Sequence, residues 1–597
     1  MQFPFFYFGT IYHPERYPHD LQTLAEDASL MQKLHMSAVL LSEDALSYAL
    51  SVGGGAEWLF GILDLLGEAG LSVGIEIPGH TPGQELLLKL DGDARVFFFK
   101  TAHTKLREAA HTVRTLKAAG IKKPIALQLD ESGLFSFSGE QEEADLICFS
   151  RRSGYSPESV LVEESRSAFL EDRIRAVKRE PYMLVDLDPM FLMSDRGKKL
   201  RPGGTLSMEI FQAAFHGARG CFLSDLRQAV SGDRRYDGAV VSHSGRTDTR
   251  ICEEVEQIGR LLTELTEMTS TKVAARCAVL CGDEAGKDRA FRIWRSLRSL
   301  GTSVDVIDGS MDYEGYAFVA ACGFRRVSEE NAERIRSYIE AGGIFLAEWG
   351  FATEDLNGSC YTGEVPHSLT DVFGIRIAET EYLYPDEAMP LTAPADFKIK
   401  NKHKLSHNIC EIPENIDADI MVRYEDAFFK GQPALSRKKY GKGFAYYMAT
   451  DCSDELIQLL CDKIIKGLRS VSRVKMTEGI AVQRLQDEVA EYLVFQNFLD
   501  EEKRLPLDYN KMDIFFGYDP VPAYGVLILR MNRKKNKKEE KKTEEKTGEK
   551  TEEKTEEKKT EEKKTEGKKT EEKKAEEKKA EEKTEKKKAE LPEESDA

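Results

Sequence analysis

Phe5-Phe6-Tyr7-Phe8-Gly9-Thr10-Ile11-Tyr12, followed after a short loop by Asp20-Leu21-Gln22-Thr23-Leu24-Ala25-Glu26-Asp27-Ala28-Ser29-Leu30-Met31-Gln32-Lys33-Leu34 and a second apolar run at 37–42, sets the fold class. The first and third pieces are short and apolar, as buried strands are. In the middle piece Leu21, Leu24, Ala28, Met31 and Leu34 recur at helical spacing, and Asp20 stands where a side-chain oxygen caps a first turn. Strand, helix, strand with no hairpin turn is the unit of a parallel sheet. The pattern persists to about Ser270, with strands expected at 5–12, 37–42, 71–77, 124–130, 144–149, 181–187 and 219–225. That makes seven, one short of the eight of a closed barrel, and the expected fold is a (β/α)8-type TIM barrel, possibly shortened.

A second α/β block begins near Lys272. Strands are expected at Arg276–Cys281, Val304–Ile307, Tyr316–Ala321 and Ile344–Glu348, with helices at Ala290–Leu300 and Glu329–Ala341, the latter stopped by Gly342-Gly343. This is the pattern of an open doubly wound sheet. Further strands are read at Lys430–Ser436 and Gly443–Thr450, and a helix from Asp454 to about Leu468. Val474–Met531 reads as a small antiparallel sheet with strands Glu491–Phe498 and Ala523–Arg530. The expected domains are therefore 1–270, 271–470 and 471–532, the last of them β-sandwich-like, ahead of a Lys/Glu/Thr tail at 533–597 that has no apolar stripe and reads as disordered or as a lone charged helix.

That tail holds 24 basic and 23 acidic residues, so the net charge of −18 belongs to the preceding part, which carries −19. An acidic surface repels phosphate backbones and anionic lipid, which argues against nucleic-acid and membrane partners. The ten cysteines are scattered singly, without a CxxC pair, and read as reduced packing residues. No apolar stretch approaches 18 residues and no leader pattern is recognised, so a cytoplasmic protein is expected. No metal or cofactor is expected.

The chemistry is sought in strand-end carboxylates. Ile125-Ala126-Leu127-Gln128-Leu129-Asp130-Glu131-Ser132-Gly133 is an apolar strand ending in acids, and Pro181-Tyr182-Met183-Leu184-Val185-Asp186-Leu187-Asp188-Pro189 is another. Two such groups suit acid–base work, one donating a proton and one attacking or activating water. Cys322 follows a middle-block strand but lacks an elbow context or paired His, so packing is its expected role.

Several stretches together resemble glycoside hydrolase family 42, the β-galactosidases with a trimerisation domain. Gly9-Thr10-Ile11-Tyr12-His13-Pro14-Glu15-Arg16-Tyr17-Pro18 is similar to the family's first strand and loop, and Ser42-Glu43-Asp44-Ala45-Leu46-Ser47 to its Gly-Glu-Phe-x-Trp-Ser loop. Phe211–Gly220, Leu226-Arg227-Gln228 and Tyr236–Gly245 resemble its last helix, last strand and following loop. Val304–Ile307 and Tyr338–Gly343 look like the trimerisation domain, with its glutamine-amidotransferase-like sheet, and Pro522–Leu529 like the last strand of the C-terminal β domain. The resemblance implies Glu131 as acid/base, Asp186 at the nucleophile position where the family has Glu, and Asp130, Glu43, Tyr12 and Asp237 lining the sugar site. Asp130 replaces the family's Asn. Leu226 falls on its Trp, Arg234 on its Glu, Asp237 on its His, and Val96–Lys100 on its Arg-Arg-His-Tyr-Cys segment. Asp188 is either a substitute acid or a rim charge, and Trp58, Trp294 and Trp349 fall outside this site. The implied protein is a homotrimer acting on a carbohydrate, as a β-galactosidase or, alternatively, as a catalytically impaired carbohydrate-binding or scaffold protein.

Overall fold

A computed structural model of the chain describes residues 4–533 except 52–54, 80–82, 103–104, 136–142, 151–159, 179–180, 195–196, 283–285, 394–404, 472, 475 and 507–511. The tail expected at 533–597 lies outside the described residues from 534 onward.

Eight parallel strands close a barrel: β1 (Tyr7–Tyr12), β2 (Ala38–Leu41), β3 (Ser72–Ile77), β4 (Val96–Thr101), β5 (Ile125–Leu129), β6 (Leu146–Ser150), β7 (Tyr182–Leu187) and β8 (Ala218–Leu223), with β1 pairing both β2 and β8. The expectation of seven strands is corrected by β4. Its sequence, Val96-Phe97-Phe98-Phe99-Lys100-Thr101, carries a charge inside an apolar run. That charge is neutralised in the barrel, where Lys100 lies in register with Glu76 on β3 and its ammonium is bonded to the Glu76 carboxylate.

Alternation along the strands sorts side chains. Tyr7, Ile11, Ala38, Leu40, Phe98, Ala126, Cys148, Met183, Val185 and Phe222 pack together inside the barrel, whereas Phe8, Tyr12, Val39, Leu127 and Leu184 join the larger core under the helices. Gly74 is required by this filling, because a Cβ there would lie 2.2 Å from the Phe98 ring. Helix α1 (Leu21–Lys33) is capped as expected, with the Thr23 amide donating to Asp20 Oδ1 at 3.0 Å. Leu24, Ala28, Met31 and Leu34 are buried, but Leu21, the first residue of the helix, is exposed. Two later helices on this wall are α2 (Val160–Lys178) and α3 (Thr205–His216).

The middle block holds parallel strands Val304–Ile307, Cys277–Cys281, Phe318–Cys322, Ile344–Glu348 and Gly443–Met448 in that spatial order, continuing into an antiparallel region built from strands between Ile375 and Tyr440. Helix α4 (Lys287–Arg298) packs on its face. The C-terminal segment is one five-stranded antiparallel sheet, not two packed layers. Lys272–Val273, expected to open the middle block, pairs with Ile480–Gln486 in this sheet, and its last strand is Val526–Asn532. Among the described residues no helix is long and apolar enough to cross a membrane.

Candidate active site at the barrel mouth

The C-terminal ends of barrel strands, where loops can bring many side chains together, hold a charged cluster. Asp186 is placed there by an irregularity. The β7–β8 register shifts between Leu184 and Leu187, and Asp186 takes the left-handed backbone conformation at φ 62°, which is costly for a residue with a Cβ and is held by its surroundings. Its carboxylate accepts from Arg234 Nη2 at 3.2 Å. Arg234 also lies 3.9 Å from Asp225 and 3.5 Å from Asp237, whose carboxylate is bonded to Lys198. Burial works against charge on Arg234, but the three carboxylates outweigh it and raise its pKa.

Asp225, just past β8, is 2 % exposed. Burial opposes its ionisation, yet contact with His13, Arg234 and Arg16 brings its pKa below the ordinary value. His13, just past β1, has Nε2 3.2 Å from Asp225 and Nδ1 2.9 Å from Glu15. Desolvation disfavours its charge, but these two carboxylates prevail and its pKa is raised. His13, Glu15 and Asp44 each bring one donor atom within 4.8 Å of the others.

The predicted residues separate into distinct surroundings. Glu131 opens a short helix, Glu131–Phe135; its side chain is 52 % exposed and pairs with Lys287 of α4 at 2.7 Å. Asp130 receives the Ser132 hydroxyl at 2.8 Å and the Gly133 amide at 2.9 Å, the bonds of a helix cap. Only β6 separates β5, which precedes Glu131, from β7, which carries Asp186. Glu43 opens helix Glu43–Leu50, and its amide donates to Glu76 at 3.3 Å. Tyr12 is buried on the outer side of β1, where its hydroxyl donates to Asp27 of α1 at 3.2 Å, beside Tyr17 and Arg227 on the same carboxylate. Asp237 joins the Arg234 cluster.

Asp188 resolves as a loop anchor. Its Oδ1 accepts from the Met190 and Phe191 amides, each at 2.9 Å, and its Oδ2 from the Gly238 amide at 2.9 Å. Sequence reading missed the Lys100–Glu76 pair, whose signal was one opposite charge in each of two otherwise apolar runs, and the linkage of His13, Asp225, Arg234 and Asp186. It also left Trp58 aside, whose indole donates to Pro18 O at 3.1 Å and so lies against the loop after β1. Cys322 is fully buried, and burial drives its pKa well upward, as suits an inert thiol.

Comparison with known proteins agrees with this architecture. A family model described as beta-galactosidase matches residues 133–265, and one described as beta-galactosidase trimerisation domain matches 285–470. Beta-galactosidase Pbg of Clostridium perfringens is 26% identical over 394 residues, 62% of this chain and 57% of that protein. Beta-galactosidase BglY of Alicyclobacillus acidocaldarius is 24% identical over 400 residues, 63% and 58% respectively. The chain thus spans less than three-fifths of the length of these relatives. Among solved structures, a cold-adapted beta-galactosidase from Rahnella sp. R3 superposes with TM-score 0.78 at 19% identity, covering 89% of this chain and all of that one. The beta-galactosidase from Bacillus circulans sp. alkalophilus gives 0.77 at 18% identity, with 89% and 99% covered.

Proposed function

Since the chain belongs to glycoside hydrolase family 42, we propose that it hydrolyses terminal β-galactosides, or related β-glycosides and arabinosides, at the C-terminal mouth of its barrel. The observation that carries this reading is Asp186, held at a left-handed backbone position on β7 with its carboxylate on Arg234. In this scheme Asp186 is the nucleophile or base. Arg234 keeps it ionised, since an adjacent cation favours the carboxylate. Glu131 is the proton donor; for it to reach the glycosidic oxygen its carboxyl must exchange Lys287 for substrate. Asp130, Glu43 and Asp237 are assigned to the sugar hydroxyls. Tyr12, expected beside them, is assigned to holding α1 against β1, because its hydroxyl is engaged by Asp27.

The proposed assembly is a homotrimer, supported by the match of residues 285–470 to a trimerisation domain. Sedimentation equilibrium at three chain masses supports it, and a single chain mass refutes it. The activity is tested with 4-nitrophenyl β-D-galactoside and 4-nitrophenyl α-L-arabinoside on the full chain and on Glu131→Gln. Turnover that falls at least a hundredfold in the variant supports the assignment, general acid catalysis contributing about 10²–10⁴ in rate. Unchanged turnover removes Glu131 from the mechanism. Absence of turnover on both sugars, with galactose still bound, replaces hydrolysis by carbohydrate binding.

A further inference from the structure

Away from the barrel mouth, a cavity of about 420 Å³ lies where α2 and α3 of the barrel, α4 of the middle block and strands Ile480–Gln486 and Ala490–Asn497 of the C-terminal sheet meet. Its size is that of a small-ligand site. Phe215, Phe291, Trp294 and Val494 give it apolar walls, and the Phe291 and Trp294 rings stack at 5.8 Å.

Two polar side chains in this wall have atoms left without a partner among the described residues, in a way that points to a ligand. Gln483 is 3 % exposed, and its Oε1 accepts from Arg298 Nη1 at 2.7 Å and Ser303 Oγ at 2.9 Å. Those two donors fix the amide orientation, so its Nε2 is the buried donor left without an acceptor among the described residues. Gln212 and Gln496, on the same wall, spend their amides on the carbonyls of Glu164 and Met208. Arg298 donates through Nη1 alone, to Gln483 and to Thr302 O at 3.1 Å. Its Nε and Nη2 make no hydrogen bond, and it has no carboxylate ion-pair partner, among the described residues. Asp172, the acid whose field reaches it, is already engaged by Arg175 at 2.7 Å, His216 at 2.7 Å and the Trp294 indole at 2.9 Å. The Nε–Nη2 edge of a guanidinium is a fork for two carboxylate oxygens. Desolvation lowers the Arg298 pKa, as expected of a cation short of an anion.

We propose that this cavity binds a small carboxylic acid with an apolar body, its carboxylate on Arg298 and Gln483 and its body between Phe291, Trp294 and Val494. The acidic side chains that also line the space do not fill this role. Glu164 is buried and partnered, and Glu478 is exposed to solvent. A ligand seated here touches all three parts of the described fold and so ties them together.

The test uses the full chain and calorimetric titration with octanoate and with 1-octanol, which shares the chain but not the charge. Saturable octanoate binding, weakened at least tenfold by Arg298→Met, is expected, while 1-octanol binds more weakly and is indifferent to that change. Filling the cavity with Ala168→Phe should abolish both. Lack of saturable octanoate binding, or equal affinity in Arg298→Met, overturns the proposal. Because either variant can fail to fold, the unaltered protein is also crystallised with 8-bromooctanoate. A bromine anomalous peak inside the cavity supports the proposal, and a peak elsewhere or none overturns it.

Discussion

Replacing Asp188 by Asn tests whether the loops that shape the barrel mouth are pinned by one carboxylate. Asn is isosteric and keeps an oxygen facing the Met190 and Phe191 amides, but it puts an NH₂ where Oδ2 now accepts the Gly238 amide at 2.9 Å. A charge-assisted bond contributes about 1.5–3 kcal/mol, and here it is replaced by two opposed donors. Asp188 is partly solvated, so we take about 2 kcal/mol as the local cost. The affected segment, Asp237–Gly238, carries an Arg234 partner, so its release loosens the cluster around Asp186. Local opening should be favoured about 30-fold, at roughly 1.4 kcal/mol per tenfold. Hydrogen exchange read by mass spectrometry should show that acceleration in peptides covering 232–241, with 190–191 still protected. Gly238→Ala should act similarly, because a Cβ there would lie 2.0 Å from Asp188 Oδ1. Unchanged exchange at 232–241 in Asp188→Asn would refute the anchor.

Other outcomes follow from the same contacts. Arg234→Leu removes the cation shared by Asp186, Asp225 and Asp237; the acidic limb of the pH–activity profile should move to higher pH, and a fixed limb would contradict the ionising role given to Arg234. His13 has a raised pKa, so its stabilising contribution is complete below the unfolded value of about 6.5 and is lost as pH rises through the folded value. Melting temperatures between pH 6 and 9 should therefore fall more steeply with pH in the unaltered protein than in His13→Asn; parallel curves would count against it. Gly74→Ala should destabilise the barrel by about 1–3 kcal/mol through overpacking on Phe98. Adding Phe98→Leu should restore part of the loss in denaturant titrations, and an unaffected single variant would show that the ring yields freely.

Much of the scaffold was legible because its signals are local. Asp20 caps α1, and Ser328 precedes the helix Glu329–Ala341, whose bounds and whose following strand Ile344–Glu348 match the reading residue for residue. The missed strand β4 failed on a non-local fact: Lys100 is tolerable in a barrel interior only because Glu76 stands beside it on β3. The site divides the same way. That acids end β5 and lie on β7 is written in the chain, but the partner each acid takes is decided by packing. Glu131 meets Lys287 from 156 residues away, Asp186 meets Arg234, and Asp188 meets the amide of Gly238. Tyr12 was misjudged by one strand-residue of alternation, which turns its hydroxyl toward α1.

The most direct measurement is the initial rate of 4-nitrophenyl β-D-galactoside hydrolysis by the full chain against Asp186→Asn, with matched circular dichroism. Removing a nucleophilic carboxylate should lower the rate on the order of a thousandfold or more while the fold is kept. A variant that hydrolyses the substrate as fast as the unaltered chain, or an unaltered chain with no turnover, would contradict the account.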